Sequence, residues 1–77
     1  MQPTVYNIRG NKIFLPNKHY KKFRIILSNG YYVHVYDYDL IELVDDITKR
    51  KHIFLIDEYG LQTVIFRKHI VKIKEEM

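Results

Sequence analysis

The feature that most constrains this chain is a predicted β-hairpin around Asn29-Gly30. Runs rich in β-branched and aromatic residues flank this dipeptide, Lys22 to Ser28 before it and Tyr31 to Tyr36 after it. Asn-Gly between two such runs is the strongest short-range signal for a hairpin with a two-residue turn. The predicted pairs are Ser28 with Tyr31, Leu27 with Tyr32, Ile26 with Val33 and Ile25 with His34.

This pairing predicts a hairpin that is apolar on both faces, because directly opposed residues share a face. One face would carry Phe23, Ile25, Leu27, Tyr32, His34 and Tyr36, and the other Ile26, Tyr31 and Val33. Such a hairpin needs cover on both sides, from a barrel that closes on itself, a helix or a partner chain.

A helix is predicted from about residue 39 to 50, where the hydrophobic period changes. Leu40, Leu43, Val44 and Ile47 recur at helical spacing, so we expect them to face the core. Asp39 with Glu42 three residues later has the form of a capping box at the helix start.

The remaining predicted elements are short strands. Two N-terminal runs are separated by Gly10-Asn11, with Gly10 as the first central residue of a turn. A later hairpin has Gly60 in the left-handed position of its loop, 58–60. The predicted strands outside the main hairpin are 4–9, 12–15, 52–57, 61–67 and 69–74.

The order of these elements predicts a single, mainly β domain over residues 1–77. One architecture is a small antiparallel SH3-like or Sm-like barrel with the helix inserted about 39–50. The alternative is a ββαββ sheet with the helix on one face. The barrel is favoured because closure buries strands without leaving long edges.

The composition points away from several classes of protein. No apolar run approaches the ~18 residues of a membrane span, and the N-terminus lacks a signal-peptide pattern, so we expect a cytoplasmic protein without a membrane partner. Ser28 is the only serine and lies beside a turn, and there is no cysteine. The histidines lack zinc-site spacing, so we expect no metal and no cofactor. Because the chain offers no suitable nucleophile, we also expect no enzymatic activity.

Basic clusters interleaved with tyrosines indicate a nucleic-acid-binding surface. The chain carries a net charge of +4, and lysines and arginines that contact phosphates beside tyrosines that stack on bases are typical of such surfaces. We therefore predict a small regulatory protein that binds RNA or single-stranded DNA. Its candidate binding residues are Lys21, Lys22, Arg24, Tyr32, Tyr36, Lys49, Arg50, Lys51, Arg67, Lys68 and His69.

Three segments, Phe23 to Tyr31, Tyr38-Asp39 and Val64 to Ile70, resemble the pattern of Hfq, the bacterial Sm-like RNA chaperone. The shared features are an apolar strand, Asn-Gly, a Tyr-Asp pair and a closing Lys-His. The resemblance implies an Sm-like barrel that assembles into a ring. It also implies that Lys68 and His69 contact uridine-rich RNA on one ring face, with Ile26 on the opposite face.

The alternative function is a protein-interaction module without enzymatic activity. A compact single domain with many tyrosines suits a phage-type inhibitor or adaptor that binds a host protein. It would dock by an exposed sheet edge or a Tyr-rich face. Self-association is also open, because a domain this short buries limited surface.

Overall fold

The computed structural model describes residues 4–14, 18–56 and 60–76, which form a mainly β protein. A single α-helix, α1, and a short 3₁₀ helix over Arg67–His69 accompany the described strands. In chain order the elements are β1 (Thr4–Tyr6), β2 (Lys12–Phe14), β3 (Lys21–Leu27), β4 (Tyr32–Asp37), α1 (Leu40–Thr48), β5 (His52–Ile56), β6 (Gln62–Phe66) and β7 (Ile70–Glu76).

The strands are arranged in three antiparallel sheets. β1 pairs with β2, β5 pairs with β6, and the central sheet has the order β4-β3-β7. Within the described residues no closed barrel is formed. The strands around the helix also do not join into the single sheet of the ββαββ alternative, because β5 and β6 pair only with each other there.

The β3–β4 hairpin differs from its predicted register by one residue. Ile26 lies opposite Tyr32 and Ile25 opposite Val33. Leu27 N donates to Tyr31 O at 2.8 Å, and Gly30 N donates to Leu27 O at 2.9 Å. Gly30 has a φ of +90°, whereas Asn29 does not have positive φ. The predicted two-residue turn is therefore wrong, because a three-residue loop ending in a left-handed glycine closes the hairpin.

This shift gives the hairpin one apolar face instead of two. Phe23, Ile25 and Val35 share a face and are buried, each at most 1% exposed. Arg24 lies directly opposite His34 on the other face. A slip of one residue exchanges the faces of a strand, so the predicted distribution of side chains was wrong for β4.

The β1–β2 hairpin is closed in the same way. Asn7 N donates to Asn11 O at 3.1 Å, and Gly10 N donates to Asn7 O at 3.0 Å. Gly10 therefore ends a three-residue loop, and the prediction that it is the first central residue of a turn was wrong. Gly60 has the predicted positive φ, at +79°. The rest of its predicted loop lies outside the described residues.

Helix α1 starts as predicted but buries a narrower face. Asp39 is the N-cap, and its Oδ1 accepts a hydrogen bond from Glu42 N at 2.7 Å. Leu43 and Ile47 are buried. Leu40 and Val44 are 41% and 38% exposed, so their predicted core positions were wrong. A stripe of two side chains is enough to cover the core from this side.

The core lies between the central sheet, the β5–β6 hairpin and α1. Its buried side chains form one contiguous cluster, contributed by all three together with Ile8 of the β1–β2 loop. The cluster consists of Ile8, Phe23, Ile25, Val35, Leu43, Ile47, Ile53, Leu55 and Ile65.

Arg9 connects the β1–β2 loop to this assembly through carboxylates. Its Nη1 lies 2.9 Å from Asp46 Oδ2 and 3.7 Å from Glu42 Oε1, and its Nη2 lies 3.4 Å from Asp37 Oδ1. Asp37 is fully buried at the end of β4 and also accepts a hydrogen bond from Tyr38 N at 2.7 Å. Burial raises the pKa of Asp37, against the opposing effects of that hydrogen bond and of Arg9.

We expect the left-handed backbone at Gly30 to dominate the cost of replacing it. A Cβ at this position would meet no atom within 4 Å, so Gly30→Ala tests the backbone conformation alone. It should lower the free energy of unfolding by about 1–2 kcal/mol. Gly30→Asn should cost less, because asparagine tolerates this region better. Urea midpoints with unchanged slopes measure both, and wild-type midpoints for both variants would contradict the proposed turn.

The raised pKa of Asp37 predicts a specific dependence of stability on pH. Above the ordinary pKa, near pH 4, the native state retains a proton that the unfolded chain has released. The contribution of Asp37 to the free energy of unfolding therefore falls as the pH rises from the ordinary pKa of aspartate to the raised pKa of Asp37. Asp37→Asn lacks this titration, so the stability of wild type relative to the variant should fall across the interval. A relative stability that increased with pH would contradict the assignment.

Candidate nucleic-acid interface

The outward surface of the central sheet gathers basic and aromatic side chains. Directly opposed residues of β4, β3 and β7 form three rows across it. The rows are Tyr36, Lys22 and Glu76; His34, Arg24 and Lys74; and Tyr32, Ile26 and Lys72. We call these residues together the cationic sheet face, since they include four cations and one carboxylate.

The cationic sheet face is accessible, although its centre is partly covered. Tyr32 is 51% exposed. Lys72 and Lys74 are exposed on β7, while Lys22 and Tyr36 are half-buried. The sheet thus presents aromatic rings and ammonium groups on the side opposite the buried core.

Arg24 is the most extensively contacted cation of this face. Its guanidinium carbon lies 4.3 Å from the centre of the Tyr32 ring. The same guanidinium forms an ion pair with Glu76, whose Oε1 also lies 3.4 Å from His34 Nε2. Burial raises the pKa of Glu76, but the opposing effects of Arg24 and His34 are stronger together and leave this pKa below its usual value.

The lysines of the cationic sheet face differ from Arg24 in having no acidic partner among the residues that the structure describes. Lys22, Lys72 and Lys74 make no ion pair with any residue in the described ranges. Their ammonium groups therefore stand as open positive charges around Arg24. Such groups are suited to contacts with phosphate oxygens.

A second basic group forms where α1 ends. We call Lys49, Arg50, Lys51, Arg67 and Lys68 the basic turn cluster. Arg67 N donates to Lys51 O at 3.0 Å, and Arg67 Nη1 donates to Thr48 O at 2.5 Å. Lys49 Nζ lies 2.8 Å from Asp45 Oδ2, and this contact raises the pKa of Lys49. Arg67 thus has a structural role in joining the 3₁₀ helix to the end of α1.

Nine of the eleven predicted binding residues lie on one or the other of these two surfaces. Lys22, Arg24, Tyr32 and Tyr36 lie together on the cationic sheet face. The basic turn cluster holds Lys49, Arg50, Lys51, Arg67 and Lys68. His69 directly follows this cluster in the sequence and is exposed. Its backbone carbonyl accepts a hydrogen bond from Ser28 N at 2.8 Å.

Lys21 lies away from both surfaces. It is opposite Asp37, on the same side of β3 as Phe23, and its Nζ lies 3.8 Å from Glu75 Oε1. The strand period of two separates it from Lys22, which the sequence had grouped with it. Side chains alternate between the two sides of a strand, so assigning both lysines to β3 was enough to place Lys21 and Lys22 on opposite sides of the sheet.

The predicted binding residues do not include five members of the cationic sheet face: Ile26, His34, Lys72, Lys74 and Glu76. The last three alternate along β7, which extends beyond its predicted end at Lys74. This alternation was visible in the sequence. The pairing of β7 with β3, which places these side chains beside Arg24, was not.

An uncharged, apolar surface lies on the outer side of the β5–β6 hairpin. Phe54, Val64 and Phe66 are 68%, 44% and 49% exposed there. A shallow pocket of about 360 Å³ is lined by Phe54, Val64 and their strand neighbours. A second depression, of about 280 Å³, lies between the β3–β4 loop and β6, with His69 at its edge.

The described part of the chain holds no group of three or more histidine, aspartate or glutamate side chains placed to bind a metal ion. None of its helices is long and apolar enough to cross a membrane.

Comparisons with known proteins do not assign this chain to a family: no family model, curated protein or solved structure matches it.

Proposed function

We propose that this chain is a small cytoplasmic regulatory protein that binds RNA or single-stranded DNA through the cationic sheet face. The observation that supports this most is the juxtaposition of Tyr32, Tyr36 and His34 with unpaired lysines on one exposed sheet surface. Aromatic rings stack on bases without regard to sequence, and ammonium groups follow the phosphates.

The arrangement favours a single strand over a duplex. Stacking on a protein ring requires a base that is free of its neighbours, which unpaired nucleotides provide. The rings lie on β4, and the lysines Lys72 and Lys74 lie across β3 on β7. A strand whose bases rest on β4 would carry its phosphates toward β7.

The basic turn cluster is proposed as a second contact with the phosphate backbone. Arg50, Lys51 and Lys68 are exposed and make no ion pair with the residues of the described segments. Lys49 is paired with Asp45, and Arg67 donates to Thr48 O. We therefore assign phosphate contact in this cluster to Arg50, Lys51 and Lys68.

We also propose a more specific architecture for strands β3 to β7. Strands β3 to β7 would correspond to an SH3-like or Sm-like barrel in which α1 is an insertion. The pairing of β7 with β3 supports this, because it places the last strand beside the first of these five. The resemblance to Hfq adds a ring of several subunits, with Lys68 and His69 near RNA. The mass of the protein in solution tests the ring.

Removing lysines from the cationic sheet face should reduce the salt dependence of binding. Lys72→Gln combined with Lys74→Gln should weaken binding to a mixed-sequence single strand and lower the slope of log affinity against log salt by ~1.4, since each phosphate contact contributes ~0.7. Fluorescence anisotropy of a labelled strand over a salt series measures the slope.

The matched control is Lys12→Gln combined with Lys18→Gln, which removes the same charge from residues outside both basic surfaces. An equal loss in both double variants would show that net charge alone drives binding. Failure of the wild type to bind RNA or DNA at low salt would overturn the proposed function.

Stacking on Tyr32 should contribute to affinity separately from charge. Tyr32→Ala should weaken binding by ~1–3 kcal/mol with little change in salt slope. Tyr31→Ala is the control, because Tyr31 is 74% exposed but precedes β4 and is not part of the cationic sheet face. Equal effects of the two variants would contradict a stacking role for Tyr32.

The second candidate function is binding of a protein partner without catalysis. It is favoured by the exposed apolar surface at Phe54, Val64 and Phe66, since clustered exposed apolar residues mark interaction sites. Phe54→Ser should then abolish binding of the partner while leaving nucleic-acid affinity unchanged. Weak dependence of the partner's affinity on salt would separate this function from the first.

A further inference from the structure

We propose that Glu76 occupies a phosphate subsite formed by Arg24 and His34, and so competes with nucleic acid for the centre of the cationic sheet face. This inference rests on the proposed function. Beyond that function, it identifies one phosphate subsite and a contact within the chain that regulates access to this subsite.

The geometry around Glu76 is that of a bound anion. Its carboxylate pairs with the guanidinium of Arg24, and Oε1 lies 3.4 Å from His34 Nε2. The three side chains are 19%, 30% and 34% exposed for Glu76, Arg24 and His34, respectively. A phosphate offers the same type of acceptor oxygens, which a guanidinium binds well.

The subsite lies at the centre of the surface that is proposed to bind the strand. Arg24 occupies the middle position of its row, between His34 and Lys74. The Tyr32 ring, 4.3 Å from the guanidinium carbon, holds Arg24 in place from one side. A phosphate that replaced the carboxylate would therefore meet an already positioned guanidinium.

Displacement is feasible because the carboxylate is held at the end of β7 by partly exposed groups. Ion pairs that remain in contact with water are weak. Lys22 lies opposite Glu76 and Lys74 opposite Arg24, so a strand can first contact these lysines before a phosphate replaces Glu76. Glu76 would then lower the affinity for nucleic acid without preventing binding.

Glu75 provides a matched comparison. It is the neighbouring residue and carries the same charge, but it lies opposite Phe23 on the other side of the sheet. Its Oε1 lies 3.8 Å from Lys21 Nζ. Neutralising Glu75 changes the net charge of the protein equally and leaves the Arg24 subsite intact.

The test compares the wild-type chain, Glu76→Gln and Glu75→Gln for binding to a labelled, mixed-sequence single-stranded RNA at low salt. Glu76→Gln should tighten binding roughly fivefold, whereas Glu75→Gln should change it by less than about twofold. Glu76→Gln should also steepen the salt slope by ~0.7, because a phosphate that contacts Arg24 then releases a counterion without freeing a carboxylate that takes up a cation in exchange.

A further variant shows whether the gain depends on Arg24. Glu76→Gln combined with Arg24→Gln should lose the gain of the single variant, with folding checked by thermal unfolding. Equal tightening by Glu75→Gln and Glu76→Gln would overturn the subsite and leave the proposed function standing. The subsite would also be overturned, and the proposed function kept, if the Lys72 and Lys74 double variant lost binding while Glu76→Gln bound as tightly as the wild type. Absence of binding by every variant would overturn both proposals.

Discussion

The register of the β3–β4 hairpin is the constraint on which both the core and the candidate interface depend. Gly30 at a φ of +90° ends a three-residue loop, and the pairing that follows puts Ile25 opposite Val33. Full burial of such side chains is worth about 1.5–3 kcal/mol each. The same register places Arg24 opposite His34 on the outer side. A slip of one residue would move β4 side chains between the two environments, so core and interface are selected together.

The Arg9 carboxylate network maintains the far end of the same hairpin. Asp37 ends β4, directly after Tyr36, and is fully buried against the guanidinium of Arg9. Because Arg9 also contacts Asp46 of α1, the β1–β2 loop, β4 and the helix share one charged anchor. A buried ion pair adds little net stability, but removing one partner leaves an uncompensated buried charge. Separating Arg9 from Asp37 would therefore cost more free energy than the pair itself contributes. The strand that carries Tyr32, His34 and Tyr36 is thus fixed at its loop by Gly30 and at its end by Arg9.

Local features of this fold could be predicted from the sequence, whereas features set by distant contacts could not. The Asp39 cap was predictable because donor and acceptor are three residues apart. The hairpin around Gly30 was also predictable, but its loop length was not, because burial of Val35 in a core built from distant elements decides between registers. The Arg9 contact with Asp37 spans 28 positions and follows no periodicity. The rows of the cationic sheet face likewise require β7 beside β3, which no local pattern encodes. Grouping Lys21 with Lys22 failed for a simpler reason, since neighbours on a strand point to opposite sides.

If the cationic sheet face binds nucleic acid as proposed, the distribution of its charges determines how that binding responds to salt. A net charge of +4 does not distinguish cations that are already paired from those that are open. When an open lysine such as Lys72 neutralises a phosphate, a counterion leaves the nucleic acid, and affinity acquires a salt dependence. When a phosphate replaces Glu76 on Arg24, a counterion is released in the same way, but the freed carboxylate attracts a cation in exchange. The proposed Arg24 contact would therefore contribute geometry and orientation with little net release of ions. The proposed affinity for nucleic acid would accordingly divide into a salt-dependent part from the lysines and a nearly salt-independent part from Arg24 and the aromatic rings.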